Sequence, residues 1–315
     1  MKIVALAGGI GASKLLLGLQ GVMNARELTV IVNTGDDIVL HGLSISPDLD
    51  IVTYTLAGRV NPDTGWGFRD ETFHAHEQLA NYGQPAWFHL GDRDLATHIY
   101  RTEMLRGGAT LSEAAESIRK ALGVHAEVLP MTDQPVPTMI ETEQGRLHFQ
   151  EYLVQRRAQP TVQSISFDGI ERARPASGVL EALERASSIV ICPSNPLISI
   201  GPILAVPGIR EVLRKRRRQT IAVCPIVGGK SLKGPSDQMM EQMGYELSPV
   251  GVARIYQDIC GAMIIDPIDS GYKPEIESLG PEVLIHPTVM RNLQDKEQLA
   301  RRVVEFAENQ KAAVA

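Results

Sequence analysis

The first fifty residues constrain the fold more than any other part of the chain. An apolar run, Ile3 to Ala7, leads directly into Gly8-Gly9-Ile10-Gly11-Ala12-Ser13-Lys14, and leucines at helical spacing follow. A second apolar run, Val30 to Val32, ends at the polar cluster Asn33-Thr34-Gly35-Asp36-Asp37. This order predicts a strand, a glycine turn, a helix, a second strand and an acidic loop, which is how a parallel βαβ unit begins.

The glycine turn is a candidate phosphate site. Glycines let the backbone approach a pyrophosphate closely, and the free N–H groups at the start of the next helix supply donors; Lys14 adds a full positive charge. The pattern is not specific by itself, because Lys14 stands where the dinucleotide fingerprint has its third glycine. A nicotinamide site and a turn without a ligand therefore stay open. A second acidic cluster, Ser46-Pro47-Asp48-Leu49-Asp50, favours phosphoryl chemistry, since carboxylates hold Mg²⁺.

Composition places the chain among ordinary globular proteins. It has 315 residues, of which 43% are hydrophobic and 22% charged, so it can bury a core. No apolar run approaches the roughly 18 residues of a membrane span, and the apolar start is too short for a secretory signal. We therefore expect a cytoplasmic protein without a membrane partner. The net charge of -6 argues against a nucleic-acid partner.

Two groups of residues have simple structural interpretations. The basic run Arg214 to Arg218 follows apolar residues at helical spacing, which favours a solvated helix end over a binding patch. The cysteines Cys192, Cys224 and Cys260 lack a second ligand at metal spacing and lie in apolar contexts. We expect buried free thiols at these three positions.

Later apolar runs predict further strands of the same sheet. Ser188 to Cys192 and Thr220 to Cys224 are short and continuously apolar, as in buried parallel strands. Each run leads into a loop of proline, glycine and small polar residues; these loops contain Asn195, Ser199, Gly228, Gly229 and Lys230. Because parallel strands end at one edge of a sheet, the loops should line one crevice. Two Gly-Gly turns, each with a nearby lysine, suggest a ligand with more than one phosphate.

An alternating segment interrupts this pattern. Thr138 to Glu143 and Arg146 to Tyr152 flank Gln144-Gly145, which predicts a β-hairpin. The sequence as a whole predicts an α/β protein. Its Rossmann-like core, residues 1–129 and 175–315, should have a mostly parallel sheet with helices on both faces. A small hairpin-containing α+β lobe should be inserted at residues 130–174.

Two aromatic regions allow more than one interpretation. Trp66 lies between two glycines, where it either fills the core or stacks on an aromatic ligand. A predicted strand through Trp87 to Leu90 is followed by Asp92, which is placed to cap a helix. His89 and Asp92 therefore either belong to a strand end and a helix start or border the crevice, and the sequence alone does not choose.

Seven stretches occur in this order along the chain: Gly8-Gly9-x-Gly11-x-x-Lys14, Asn33-Thr34-Gly35-Asp36-Asp37, Ser46-Pro47-Asp48-Leu49-Asp50, Gly91-Asp92-Arg93-Asp94-x-Ala96-Thr97-His98, His148-Phe149-Gln150, Pro193-Ser194-Asn195-Pro196 and Ser199-Ile200-Gly201-Pro202. Taken together, they resemble the 2-phospho-L-lactate transferase family of coenzyme F(420) biosynthesis, including its phosphoenolpyruvate transferase variants. The resemblance extends from Met1 to about Asp266. It implies a Rossmann-like core with an inserted lobe and, usually, a homodimer.

The resemblance also implies a reaction. A phospho-lactyl or phospho-enolpyruvyl unit passes from a guanosine-diphosphate-activated donor to the ribityl hydroxyl of the deazaflavin Fo, releasing GMP and requiring Mg²⁺. Asp48 and Asp50 would be catalytic and hold Mg²⁺, with Asp50 the preferred proton acceptor. Asp50 and His89 would line the deazaflavin; a Lys or Arg often occupies the place of His89. Beside the resemblance, the aromatic face of Trp66 and the position of Asp92 make these two residues candidates for the same ligand. The nucleotide and phosphate side would comprise Gly8, Gly9, Gly11, Lys14, Asn33, Thr34, Asn195, Ser199, Gly228, Gly229 and Lys230.

Two other functions rank lower. The gluconeogenesis factors, which bind nucleotide sugars and regulate without catalysis, share the opening glycine turn and a Pro-Ser-Asn-Pro-like loop. They lack the stretches that begin at Gly91 and His148 here, so they rank second. A nicotinamide dehydrogenase ranks third, because hydride transfer needs neither a second glycine turn nor an acidic cluster. Whether the donor carries lactate, enolpyruvate or glycerate stays open.

Overall fold

A computed structural model describes residues 1–231 and 236–312 of the chain. The strands in this part are β1 (Ile3–Ala7), β2 (Leu28–Val32), β3 (Ile38–Leu40), β4 (Leu43–Ile45), β5 (Glu127–Pro130), β6 (Thr138–Thr142), β7 (Gly145–His148), β8 (Val162–Phe167), β9 (Ser188–Ile191), β10 (Thr220–Val223), β11 (Ile226–Val227), β12 (Lys230–Ser231), β13 (Ala262–Ile265) and β14 (Glu282–Ile285).

The α-helices are α1 (Gly9–Val22), α2 (Pro47–Leu56), α3 (His74–Asn81), α4 (Asp92–Arg106), α5 (Leu111–Ala121), α6 (Val179–Arg185), α7 (Ile200–Ala205), α8 (Ile209–Lys215), α9 (Ser236–Gln242), α10 (Pro249–Tyr256), α11 (Lys273–Ser278) and α12 (Leu293–Ala312). None of the described helices combines the length and apolar character needed to cross a bilayer.

The central sheet has seven strands in the order β14-β13-β10-β9-β1-β2-β5, and every neighbouring pair is parallel. The chain winds outward from β1 in one direction and then, from β9, in the other. This is the doubly wound order, in which ligands bind where the strand order reverses. Here the reversal lies between β1 and β9, which pair with Leu6 opposite Ile191.

Helices cover both faces of this sheet, as the sequence predicts. Along β1, Val4 and Leu6 belong to one buried apolar cluster, which they share with α6, α7, α8, α10 and α11. Ile3, Ala5 and Ala7 belong to a second cluster, which they share with α1, α2, α5 and α12. Because successive side chains point to opposite faces of a strand, a sheet covered on both faces needs continuously apolar strands. The Rossmann-like α/β fold class is confirmed.

The simple interpretations of the cysteines and the basic run are also confirmed. Cys192, Cys224 and Cys260 are free and buried. Helix α8 ends at Lys215, inside the basic run. Arg214, in its last turn, forms a salt bridge with Asp258 at 2.8 Å.

The alternating segment forms the predicted hairpin inside a separate sheet of order β7-β6-β8. Its second strand ends at His148 instead of continuing to Tyr152, because a π-helical turn over Glu151–Gln155 follows. Buried residues of this region share a small apolar cluster with Ile198 and Met239. The domain boundaries stay a prediction; Pro130 pairs with Val32 in the central sheet, and residues 232–235 and 313–315 of the predicted core lie outside the described residues.

The strand predicted at Trp87 to Leu90 is wrong. These residues form a loop, in which the rings of Trp87 and Phe88 pack edge to face at 5.7 Å. Aromatic residues are enriched in strands, but here the side chain of Phe88 faces a cavity and not a neighbouring strand.

The helix starts around this loop also differ from the prediction. The sequence predicts that Asp92 caps its own helix, α4, but its carboxylate accepts the N–H groups of His74 and Ala75 at 3.2 and 3.0 Å and so caps α3. Glu71, which precedes α3, accepts the N–H of Arg93 at 2.9 Å and caps α4 instead. The two helices therefore exchange caps, and α3 begins at His74.

Candidate active site

A cavity of about 660 Å³ lies at the carboxyl ends of β1, β9 and β10, where the topology predicts a ligand site. Loops after these strands, helix α2, the start of α4 and the π-helical turn of the lobe all contribute to its wall. The sequence-predicted residues among its lining are Gly8, Gly9, Gly11, Lys14, Asp48, Asp50, Trp66, His89, Asn195 and Ser199.

The glycine turn after β1 packs directly against the loop after β9. The hydroxyl of Ser194 donates to the carbonyl of Gly8 at 2.6 Å, so the two loops are joined. A Cβ added at Gly11 would lie 2.3 Å from the carbonyl oxygen of Pro193, and Gly9 has a positive φ of 65°. The close approach and the backbone conformation both require glycine, and they leave the start of α1 open to the cavity.

A pair of buried carboxylates lies next to this turn. The amide of Asn33 donates to Asp36 Oδ1 and to Asp48 Oδ2, each at 2.9 Å, and so holds the two side chains together. Burial raises the pKa of Asp48 to about 6, although the Asn33 hydrogen bond lowers it. Burial and then the charge of Asp48 raise the pKa of Asp36 well above its usual value. Gln150, from the lobe, donates to Asp36 Oδ2 at 3.4 Å.

This pair suits a hard divalent cation that also binds substrate phosphates. Within the described chain, no group of three or more His, Cys, Asp or Glu side chains is arranged to hold a metal. Mg²⁺, however, usually takes one or two carboxylates and completes its coordination with water and phosphate oxygens. Burial is the first cause of the raised pKa of both Asp36 and Asp48, and the charge of Asp48 raises that of Asp36 further, so a bound cation would stabilise both ionised carboxylates.

Asp50 is held differently, by a buried arginine. Both oxygens of Asp50 accept from the guanidinium of Arg101, one from Nη1 at 3.1 Å and the other from Nη2. Burial alone would lower the pKa of Arg101, but Asp50 beside it raises it. His98 Nδ1 lies 3.6 Å from Asp50 Oδ2, and burial lowers the pKa of His98 to about 4, so the imidazole is neutral at neutral pH.

Helix α4 presents an unusual buried face to this ion pair. Asp94, His98 and Arg101 lie at positions i, i+4 and i+7, on one side of the helix, and they are 8%, 3% and 1% exposed. A buried helix face is normally apolar, because burying charged groups is costly unless they are paired. Polar residues at this spacing therefore indicate a site and not a core.

The remaining predicted residues do not line the cavity formed by the described residues. Asn33 donates hydrogen bonds to Asp36 and Asp48 but does not itself line the cavity. Asp92 caps α3. The N–H of Gly228 donates to the carboxylate of Asp269 at 3.0 Å, so it is not free to bind phosphate. Thr34, Gly229 and Lys230 are likewise absent from the lining.

The aromatic candidates are found at the cavity. Trp66 is 38% exposed and contributes to the wall. His89 lines it as well, with its ring stacked on that of His76 at 4.7 Å. Phe149 and Leu153 of the lobe add further apolar surface.

Comparison with known proteins agrees with this geometry. The family model described as 2-phospho-L-lactate transferase CofD matches residues 3–277. The chain belongs to this transferase family. It is 44% identical to the phosphoenolpyruvate transferase of Streptomyces griseus, with 99% of this chain and 100% of the relative covered. It is also 44% identical to the 2-phospho-L-lactate transferase of Methanothermobacter thermautotrophicus, with 95% and 96% covered.

A solved structure supports the fold. A member of the UPF0052 family from Bacillus halodurans superposes with a TM-score of 0.64 and 19% identity, covering 96% of this chain and 98% of the other. At this identity the likeness concerns the fold alone.

The sequence does not predict every residue that lines the cavity. Asp36 belongs to a recognised stretch of the family, and the helical spacing of Asp94, His98 and Arg101 was a usable signal. Gln150, like Asp36, belongs to a recognised stretch of the family, His148-Phe149-Gln150, and the lobe brings it to Asp36. The segment Thr288 to Arg291 lines the cavity beyond the end of the family match, and no local pattern indicates it.

Proposed function

We propose that this protein transfers a phospho-lactyl or phospho-enolpyruvyl unit from a guanosine-diphosphate-activated donor to the ribityl hydroxyl of the deazaflavin Fo, releasing GMP, in coenzyme F(420) biosynthesis. Relatives named for both transfers are about equally similar to the chain. The observation that carries the proposal is one cavity that joins a glycine turn, a buried carboxylate pair and an aromatic wall. A homodimer and a cytoplasmic location, implied by the resemblance and the composition, belong to the same proposal.

The donor diphosphate is assigned to the turn after β1. The N–H groups at the start of α1 and the charge of Lys14 favour an anion there. The amine of Lys14 also donates to the carbonyl of Met290 at 3.4 Å, which joins the turn to the segment before α12. Arg291 of that segment lines the cavity and gives the donor side a second cation.

The deazaflavin is assigned to the opposite wall, where Trp66, Phe88 and His89 lie. Flat aromatic ligands bind well between aromatic and aliphatic side chains, since stacking buries both faces of the ring. Ile51 on α2 and Leu153 of the lobe supply aliphatic surface on the same cavity. The two substrates would then meet at the carboxylates of α2.

Mg²⁺ is assigned to Asp48 together with Asp36. The resemblance implies Asp50 as the second ligand, but Arg101 holds both oxygens of Asp50, whereas Asp36 lies beside Asp48. When bound, Mg²⁺ neutralises charge on the diphosphate and on the departing GMP. Asn33 would hold both carboxylates in place for the metal through its two hydrogen bonds. Gln150 of the lobe donates a further hydrogen bond to Asp36.

A product assay tests this function. The protein is incubated with Mg²⁺, Fo and each guanosine-activated acid in turn, carrying lactate, enolpyruvate or glycerate, and products are identified by mass spectrometry. At least one donor should yield GMP and a phosphorylated deazaflavin, and EDTA should abolish the reaction. If no donor reacts while a UDP-sugar binds tightly, a regulator of the gluconeogenesis-factor type replaces the transferase.

Matched variants test the metal assignment within that assay. Asp36→Asn and Asp48→Asn should each lower kcat and raise the Mg²⁺ concentration needed for half-maximal rate. Asp168→Asn, which removes a carboxylate from an exposed salt bridge on the lobe, should change neither. EDTA-resistant turnover, or a normal Mg²⁺ requirement in both site variants, would contradict the assignment.

A further inference from the structure

We propose that Asp94 is the catalytic residue that accepts the proton of the acceptor hydroxyl. This inference rests on the proposed transferase function and deepens it, because it replaces Asp50, the proton acceptor that the resemblance implies. It starts from the different partners of the cavity carboxylates.

Asp94 differs from the other carboxylates in what holds it. Asn33 binds Asp36 and Asp48, and Arg101 binds both oxygens of Asp50. Asp94, by contrast, forms no salt bridge with any residue that the structure describes. Its side chain is 8% exposed and lines the cavity, so that small exposed surface faces the place where substrate would bind.

The carboxylate of Asp94 lies beside the aromatic wall. A Cβ added at Gly67, next to Trp66, would lie 3.7 Å from Asp94 Oδ2. The wall assigned to the deazaflavin and the carboxylate of Asp94 therefore border the same part of the cavity. A ribityl chain that extends from a ring stacked on Trp66 would bring its terminal hydroxyl past α4 toward α2.

Asp50 and His98 are less suited to the role. Protonating Asp50 would leave the buried guanidinium of Arg101 without its counter-charge, which is strongly unfavourable. His98 is neutral, but burial lowers its pKa to about 4, so it is a weak base. Asp50 and His98 are thus better placed to hold Arg101 and the α2–α4 contact than to take a proton.

The charged and titratable groups around Asp94 set its basicity. Burial, then Asp50 of α2 and Glu71 before α3, raise the pKa of Asp94 to about 7, while Tyr54 of α2 and Arg101 of α4 lower it. His98, one turn along α4, is neutral. A general base works best when its pKa is near the working pH, because it is then both available and strong enough to take the proton.

The proposed step balances as follows. Asp94 takes the proton of the ribityl hydroxyl, and the oxygen forms a bond to the phosphorus that carries the lactyl or enolpyruvyl group. The bond from that phosphorus to the bridging oxygen of the guanosine phosphate breaks, and GMP leaves with the electron pair. Asp94 then releases its proton to water.

The test compares pH profiles of wild type, Asp94→Asn and Asp50→Asn in the transfer assay. For wild type, kcat/KM should rise with pH and level off above about 7, as Asp94 loses its proton. Asp94→Asn should lower kcat roughly 10²- to 10⁴-fold, remove this dependence and change the KM for Fo little. Asp50→Asn should keep a pH-dependent step but shift it to lower pH, because the charge of Asp50 raises the pKa of Asp94, and it should lower the melting temperature.

Stability separates a catalytic from a structural role. The pKa of Asp94 is higher in the folded than in the unfolded protein. At a pH between the two pKa values the folded protein therefore binds one more proton, and at higher pH the ionised carboxylate lowers the free energy of unfolding. Asp94→Asn should therefore melt at an equal or higher temperature than wild type at pH 8, and Asp94→Glu should recover part of the rate. If wild type is active and Asp94→Asn keeps both its rate and its pH dependence, the role of Asp94 is wrong while the proposed function stands. An inactive wild type overturns it together with the proposed function.

Discussion

Two Gly-Gly turns of this chain have similar local sequences and different structures. Gly8-Gly9 joins a buried parallel strand to α1 at the point where the strand order reverses, and it lines the cavity. Gly228-Gly229 joins the antiparallel strands β11 and β12, with φ values of 58° and 73°. Two positive φ values in a two-residue loop are what a type I′ hairpin turn requires, and Gly-Gly is a favoured sequence for it.

The difference explains why we propose a phosphate site at the first turn and not at the second. Both turns have a lysine nearby, but only the first has helix N–H groups that open on a cavity. In the second, the carboxylate of Asp269 accepts the N–H of Gly228 at 3.0 Å, and a negative charge there disfavours phosphate. A glycine turn binds phosphate only where its amides are free and its strand ends at a ligand crevice.

The largest effect is expected at Gly11 of the first turn. In Gly11→Ala, the new Cβ would lie 2.3 Å from the carbonyl oxygen of Pro193, so the loop after β9 must move. We expect a loss of about 3 kcal/mol in the free energy of unfolding and a large loss of guanine-nucleotide affinity. Denaturant unfolding and calorimetry measure the two. A variant with wild-type stability and affinity would show that the contact between the two loops is not needed.

A smaller effect, on stability alone, is expected at Asp269. Asp269→Ala leaves the N–H of Gly228 without its acceptor and should lower the free energy of unfolding by about 2 kcal/mol. Asp269→Asn keeps an acceptor oxygen and should recover much of this loss. The KM for the donor should be unchanged in both. A raised donor KM in both variants would assign the second turn to the nucleotide after all.

The smallest effect is expected at Gly229. A Cβ there meets no atom within 4 Å. Gly229→Ala should therefore lower the free energy of unfolding by only about 1 kcal/mol, the cost of a left-handed backbone at alanine. Thermal unfolding should show this modest change, and transfer activity at a temperature where the variant is folded should match wild type. A loss of activity without a loss of stability would contradict the hairpin role.

The same comparison explains how much the sequence could predict. The structure of the turn after β1 is predictable because the strand, the glycines and the helix follow one another directly in the sequence. The hairpin at Gly228 has the same residue types, and its capping carboxylate, Asp269, lies 41 residues away in the chain. Local patterns identify the strands of the central sheet for a similar reason, since a strand buried on both faces must be continuously apolar.

The acidic side of the cavity depends on contacts between distant segments. Asp48 and Asp50 share one motif, but Asn33 pairs Asp48 with Asp36, while Arg101, 51 residues along the chain, takes both oxygens of Asp50. No local pattern states which carboxylate receives which partner. The exchange of caps between α3 and α4 is not predictable for the same reason. Asp92 at the start of α4 caps α3, and Glu71, just before α3, caps α4.

The most direct measurement compares Gly9→Ala with Gly229→Ala in binding GDP with Mg²⁺ by calorimetry. The two glycines have similar positive φ values, 65° and 73°, so the substitutions impose similar backbone strain at different places. The Cβ at Gly9 would also approach Asp48 Oδ1 at 3.4 Å, where the diphosphate and Mg²⁺ are assigned. We expect GDP to bind about 10-fold or more weakly to Gly9→Ala, a loss of at least about 1.4 kcal/mol, and with wild-type affinity to Gly229→Ala. Equal affinities in the two variants, or a loss confined to Gly229→Ala, would contradict the placement of the donor at the turn after β1.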